Sequence, residues 1–164
     1  MRYLALLTAS LPILATASPL KPRAGGPAFI PIPANCTVIN SLPNTTRTTT
    51  SCTSANLPSG YMLPTNFTAT HEVFAEYFPQ PSVTPSQQAV KCQQQCYGYG
   101  TKGTCKAALL AYGVRTPKGY LGTEGGVPMT ACLMYDVHVD STMFVASPEG
   151  QFVNETMGNI YCPG

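Results

Sequence analysis

The clearest pattern of polar and apolar positions lies in residues 84–98, where it predicts a single helix. Thr84 is suited to the N-cap, and Pro85 fits the first helical position, where no backbone N–H is needed. Gln87 stands three residues after Thr84 and completes a capping box. Gly98 is suited to the exit from the last turn. We therefore expect the helix to follow Thr84 and to end at Gly98.

One face of this helix is predicted to be buried, because Ala89, Cys92 and Cys96 recur at helical spacing. On a helix, Cβ atoms four residues apart are separated by about 5–6 Å, whereas a disulfide needs about 3.5–4.5 Å. Cys92 and Cys96 are therefore not expected to bond to each other. Each must reach another element, and the nearest partners in sequence are Cys105 and Cys132.

Residues 105–112 and 130–139 are predicted to be strands, although the first run also contains good helix formers. A long glycine- and proline-rich loop, residues 113–129, separates them, and a last strand is expected at residues 158–162. Alternation in the second run places its members on two faces. Leu133, Tyr135, Val137 and Val139 are expected on one face, and Asp136, His138 and Asp140 on the other.

Residues 1–17 have the features of a signal peptide, with the basic Arg2, an apolar stretch and the small residues Ala15 and Ala17. The stretch is too short to span a bilayer, and no later run approaches the roughly 20 apolar residues that a spanning helix needs. We therefore expect a secreted, extracellular protein without a membrane span. Arg23, in Lys21-Pro22-Arg23, could mark a second processing site or simply begin the mature chain.

Residues 18–57 are rich in proline and threonine and predict a flexible arm, which leaves residues 58–164 for one compact domain. Only 10% of all residues are charged, against about 25% in typical soluble domains. No basic run is long enough for nucleic acid. Attached glycans would keep such a surface hydrated. The N-x-[ST] motif occurs at Asn35, Asn44, Asn66 and Asn154.

Seven cysteines in an exported chain predict a disulfide framework with one residue left over. A zinc site is the weaker interpretation, because the Cys92/Cys96 pair lacks a matching second pair and neither His71 nor His138 is spaced to complete one. We therefore expect neither a metal nor another cofactor.

The cysteine pattern resembles that of the PAN/apple domain, a disulfide-bonded module of extracellular proteins. The resemblance covers residues 50–162 and rests on short motifs around the cysteines. These motifs are Cys92-Gln93-Gln94-Gln95-Cys96, Cys105 at the start of a strand, Ala131-Cys132-Leu133-Met134-Tyr135-Asp136 and Gly158-Asn159-Ile160-Tyr161-Cys162. The chain is also similar in layout to small secreted proteins of filamentous fungi.

This resemblance implies an α+β fold, a small antiparallel sheet crossed by one helix. It also implies bonds from Cys92 to Cys132, from Cys96 to Cys105, and from an N-terminal cysteine to Cys162. We favour Cys52 for the last bond. Cys36 would then be free, removed by processing, or bonded to a second chain. Without such a bond, we expect a monomer. The alternative is a Cys36–Cys52 loop with Cys162 unpaired.

Two groups of polar residues have side chains that could bind a metal or catalyse a reaction. The row of Asp136, His138 and Asp140 has ligand types that bind a divalent cation, but a solvated strand face gives the same alternation. A ribonuclease-like hydrolase would need a proton acceptor and an arginine. Its candidates, His71, Glu72, Glu76, Arg115 and His138, are scattered and form no local motif. No catalytic residue is therefore predicted.

The glycine-rich loop is the candidate binding element, because Tyr120 and Leu121 would present apolar surface and Glu124 a charge to a partner. The resemblance implies no catalytic residues and binding of proteins or carbohydrates through the module surface. The leading hypothesis is therefore a non-catalytic module that binds an extracellular protein or glycan. A structural wall glycoprotein and a small secreted hydrolase are the alternatives.

Overall fold

The computed structural model describes residues 26–43, 60–80 and 82–163. The predicted signal peptide, Arg23, Asn44 and Cys52 lie outside this part of the chain. The helices are α1 (Thr65–His71) and α2 (Pro85–Tyr97). The strands are β1 (Thr37–Ile39), β2 (Tyr61–Met62), β3 (Glu72–Phe78), β4 (Ala107–Arg115), β5 (Pro128–Tyr135), β6 (Val145–Ala146) and β7 (Val153–Tyr161).

Five strands form one antiparallel sheet in the order β1-β7-β4-β5-β3, and β2 pairs with β6 in a separate two-stranded ribbon. The predicted α+β fold with an antiparallel sheet and disulfides is confirmed. The sheet has more strands than predicted, because β1 and β3 each add a strand at one edge. The described residues also contain two helices where one was predicted.

Helix α2 begins as its sequence predicts. The Thr84 hydroxyl accepts a hydrogen bond from the Gln87 backbone N–H, and the Gln87 side chain accepts one from the Thr84 backbone N–H. Gly98 follows the last turn in a right-handed conformation, so a positive φ does not explain the glycine. A Cβ atom there would lie 2.3 Å from the Ala28 carbonyl oxygen. Glycine is needed because the segment before β1 crosses the end of the helix.

The sheet is covered on both faces. On one face, the buried side of α2 packs on apolar residues of the central strands, including Leu110, Met134 and Ile160. On the other face, Leu109, Tyr135 and further side chains pack beneath the connections that carry α1 and the β2–β6 ribbon. Tyr135, Leu109, Leu110 and Met134 are all at most 1% exposed. The central strands are thus buried on both faces, and their sequences are nearly continuous apolar runs that do not alternate with polar residues.

The second predicted strand ends earlier than expected. Strand β5 stops at Tyr135, although the Asp136 backbone N–H still donates to the carbonyl of His71, the residue before β3. Val139 remains buried without a strand partner, since the Asn159 side chain accepts from its N–H at 2.9 Å and donates to its C=O at 2.8 Å. A buried amide side chain here takes the place of a neighbouring strand. The alternating row predicted for residues 136–140 therefore does not exist.

The disulfides Cys92–Cys132 and Cys96–Cys105 are both present, as the family resemblance implied. The favoured Cys52–Cys162 bond is wrong, because Cys162 is bonded to Cys36. The register of β1 against β7 gives the reason. Thr37 lies opposite Tyr161, so the preceding and following residues, Cys36 and Cys162, face each other with Cα atoms 4.2 Å apart.

This bond also excludes the Cys36–Cys52 loop and the interchain bridge through Cys36. The described part of the predicted arm, residues 26–43, contributes β1 and a disulfide to the domain, so the domain starts earlier in the chain than residue 58.

We predict that the two helix disulfides differ in their contribution to stability. The Cys92–Cys132 bond spans 40 residues and the Cys96–Cys105 bond spans 9. Loop-closure entropy then assigns about 4 kcal/mol to the first and about 2.5 kcal/mol to the second. Urea denaturation of the C92A/C132A and C96A/C105A variants should show this order in the free energy of unfolding. The reverse order would show that strain or local packing outweighs chain entropy.

Candidate functional site

A cleft of about 480 Å³ opens at the end of the sheet where β7 finishes and β4 begins. Its size is within the range of small-molecule sites. The side chains with binding chemistry that line it are Tyr97, Lys102, Lys106, His138 and Tyr161, with Pro163 at the rim. A second depression of similar volume runs along the exposed face of α2, but it has no aromatic lining and is more open to solvent.

A disulfide and the strand pairing explain why these residues meet. Tyr97 follows Cys96 and Lys106 follows Cys105 in the sequence. A disulfide holds two Cα atoms within about 7 Å, so the Cys96–Cys105 bond holds Tyr97 near Lys106. The antiparallel pairing of β4 with β7 brings Tyr161 to the same end of the sheet.

His138 and Tyr161 form an aromatic pair in the cleft. Their rings are stacked, with centroids 4.0 Å apart and planes inclined by 24°. His138 Nε2 lies 3.0 Å from the Ile160 carbonyl oxygen, and because a carbonyl only accepts, Nε2 must carry the proton. The histidine therefore fixes the Tyr161 ring from one side, while 41% of Tyr161 remains exposed.

The two lysines are held by the backbone around them. The Lys106 N–H donates to the Tyr135 carbonyl, and the Lys106 carbonyl accepts from the Ile160 N–H, both at 2.8 Å. Lys102 lies in the short connection between α2 and β4, where Thr101 and Thr104 are joined through their hydroxyls and backbone. Both lysine residues are exposed, and no described residue forms an ion pair with either of them.

The row of Asp136, His138 and Asp140, whose side chains have cation-binding chemistry, is not assembled. Asp136 accepts from His71 Nδ1 at 3.0 Å. Asp140 binds the backbone and hydroxyl of Thr142, and these hydrogen bonds lower the pKa of its carboxyl. Only His138 lies in the cleft. Within residues 26–43, 60–80 and 82–163, no group of three metal-ligating side chains converges.

The scattered hydrolase candidates also have separate partners. Glu76 accepts from the Gln95 side chain at 2.6 Å, and Arg115 Nη1 donates to the Gly126 carbonyl at 2.9 Å. His71 binds Asp136, while burial raises the pKa of the neighbouring Glu72. These side chains are engaged at different places, and the structure does not bring them together with His138.

The predicted binding loop is anchored at its aromatic residue. The Tyr120 hydroxyl accepts from the Tyr77 N–H at 3.0 Å and donates to the Tyr77 carbonyl at 3.2 Å. The two rings meet edge to face. Tyr120 is therefore a structural contact and is not presented to a partner as expected. Leu121 is 64% exposed and Glu124 is exposed, so these two remain at the surface.

These hydrogen bonds cover part of the sheet edge that strand β3 forms. Strand β3 pairs only with β5 among the described strands, and Tyr77 turns its peptide groups away from β5 toward Tyr120. At the other end of β3, the Tyr99 hydroxyl donates to the Val73 carbonyl at 2.8 Å. Two side-chain hydroxyls thus occupy positions that another strand would otherwise fill. This limits edge-to-edge pairing between molecules.

Sequence reasoning considered His138 only as a possible cation ligand or hydrolase residue, and it missed the cleft. The available signal was the position of Tyr97, Lys106 and Tyr161 beside cysteines, which becomes informative once the pairing is known. Comparison with protein-family models, curated proteins and solved structures found no match.

We predict that Tyr120→Phe lowers the free energy of unfolding by about 1–2 kcal/mol, because two hydrogen bonds at the sheet edge are lost while the ring is kept. Urea denaturation would measure this, with Tyr161→Phe as the matched control, since that hydroxyl bonds to no described residue. Equal stability of both variants would show that the edge contact contributes nothing.

We predict that stability falls as the pH rises above 10. Burial, with the negative charges of Glu72 and Tyr120, raises the pKa of Tyr77 to about 12 from its ordinary value of 10.0. Between these values the unfolded chain releases a proton that the folded chain keeps, so unfolding becomes easier. Tyr77→Phe should reduce this decline, which is measured as the urea midpoint at each pH. The measurement uses protein whose remaining thiols have been alkylated. An unchanged decline would assign it to other groups, such as Tyr135, whose pKa burial also raises.

Proposed function

We propose that this protein is a secreted, non-catalytic module that binds an extracellular carbohydrate in the cleft between β7 and β4. The observation that carries the proposal is the stacked His138–Tyr161 pair, which offers an exposed and oriented aromatic surface inside a cleft of suitable volume. Sugar rings combine apolar C–H faces with hydroxyl edges, and tyrosine combines an apolar ring with a polar tip.

The polar groups around this surface suit hydroxyl-rich ligands. Tyr97 and Tyr161 carry phenolic groups, and Lys102 and Lys106 supply hydrogen-bond donors at the rim. A few convergent polar groups on a mostly apolar lining are typical of small-ligand sites. Tyr97 and Lys106 come from elements that the Cys96–Cys105 bond joins, which reduces the entropy lost when a ligand binds.

The lining favours binding over hydrolysis. Glycosidases place two carboxylates on either side of the scissile bond, whereas the described residues that line this cleft include no aspartate or glutamate. The carboxylates of Glu76 and Asp136 are engaged elsewhere.

An extracellular location is supported by three intramolecular disulfides. No helix in the described part of the chain is both long and apolar enough to cross a membrane. The sequon asparagines Asn35, Asn66 and Asn154 are exposed and available for glycosylation. A helix cross-linked to an antiparallel sheet through two of its cysteines also supports assignment to a PAN/apple-like class of module.

We predict that Tyr161→Ala weakens carbohydrate binding about tenfold, because the stacking surface is removed. Tyr161→Phe should retain most of the affinity, since the ring stays in place. A glycan array would identify bound oligosaccharides, and calorimetry with a bound oligosaccharide would compare the variants. Thermal unfolding provides the control, because a half-exposed side chain at the end of β7 contributes little to the core.

Failure of the disulfide-intact protein to bind any carbohydrate would overturn the proposal. Binding that is unchanged in Tyr161→Ala would place the carbohydrate site elsewhere.

A further inference from the structure

We infer that the carbohydrate bound in this cleft is acidic and that Lys102 and Lys106 contact its carboxylate or sulfate group. This inference rests on the proposed function, because it concerns the chemical class of the ligand in the same cleft. It depends on a separate observation, the uncompensated positive charge at the rim.

The charge imbalance is local. Both lysines line the cleft, no aspartate or glutamate among the described residues lines it with them, and neither lysine forms an ion pair there. The chain as a whole is poor in charge, with seven acidic side chains among 164 residues. At physiological ionic strength, charges beyond about 8 Å are largely screened. The potential inside the cleft is therefore set by its own lining.

Folding does not require a positive charge at position 102 or 106. Lys106 is placed by its backbone hydrogen bonds to β5 and β7, and these bonds would form with any side chain. Lys102 lies in a turn whose hydrogen bonds come from Thr101 and Thr104. Neither ammonium group contributes a described contact that stabilises the fold, so both are available to a ligand.

Their arrangement suits an anion attached to a stacked sugar ring. Lys106 immediately precedes β4, Lys102 lies in the connection from α2 to β4, and both residues line the cleft. The His138–Tyr161 pair belongs to the cleft wall formed at the end of β7. A ring stacked on Tyr161 can direct an acidic substituent toward the lysines. Lysine binds such groups as a flexible point charge, without the fixed fork geometry of arginine.

His138 adds no negative charge to the cleft. Its Nε2–H donates to the Ile160 carbonyl. Among the described residues, the cleft lining therefore contains lysine donors and no carboxylate that would repel an anion.

The test uses a glycan array with neutral, uronic-acid-containing and sulfated oligosaccharides, followed by calorimetry. We expect the bound members to carry a carboxylate or a sulfate, and the comparison between these two arms distinguishes the anion. Affinity for a bound uronic-acid oligosaccharide should fall when its carboxylates are converted to methyl esters, which removes the charge at similar size. Affinity should also fall as the salt concentration rises.

The variant K102Q/K106Q should weaken binding of the acidic oligosaccharide by about tenfold. The matched control is K91Q/K118Q, which removes the same charge from exposed lysines outside the cleft and should bind as the wild type does. Thermal unfolding would show that both variants are folded.

The outcomes separate the two proposals. Binding of neutral oligosaccharides that is insensitive to salt and to K102Q/K106Q would overturn the acidic ligand and leave carbohydrate binding intact. Equal losses in both lysine variants would show a general charge effect and would also overturn the assignment of the lysines. Absence of any carbohydrate binding would overturn the proposed function itself, together with this inference.

Discussion

The attachment of α2 to the interior of the sheet is the constraint on which the rest of the structure depends. Cys132 lies on β5, opposite Leu110 of β4 on one side and Glu76 of β3 on the other, and it is fully buried beneath Cys92. The covalent bond therefore fixes the helix over three strands at once. A domain of this size has limited apolar surface to bury, so the cross-link reduces how much packing alone must contribute.

The same framework positions part of the cleft lining. Apolar packing specifies the middle of the sheet, whereas the Cys96–Cys105 bond joins the end of α2 to the start of β4 at the cleft. Tyr97 and Lys106, the residues beside those cysteines, are accessible to solvent and are held by the cross-link. The bond that stabilises the domain therefore also orders part of the cleft.

Local signals in the sequence were sufficient for α2, because capping residues and helical spacing act over a few positions. The sheet was only partly predictable. Asp136 and His138 continue the alternation of β5, and nothing nearby in sequence shows that the Asn159 side chain hydrogen-bonds the Val139 backbone in place of a strand. Likewise, pairing of Cys36 with Cys162 depends on the β1–β7 register across 126 residues. These hydrogen bonds and this disulfide depend on residues that are distant in sequence, so they leave no periodic signal.

The tyrosine hydroxyls on β3 differ from a neighbouring strand in one respect. A strand that covers an edge can leave only if its backbone unfolds, whereas Tyr120 can leave by rotation of a single side chain. Rotation of Tyr120 would expose this part of the β3 edge while the core and its cross-links stay intact. Exposure of the edge is thus linked to a side-chain rotamer and does not require global unfolding.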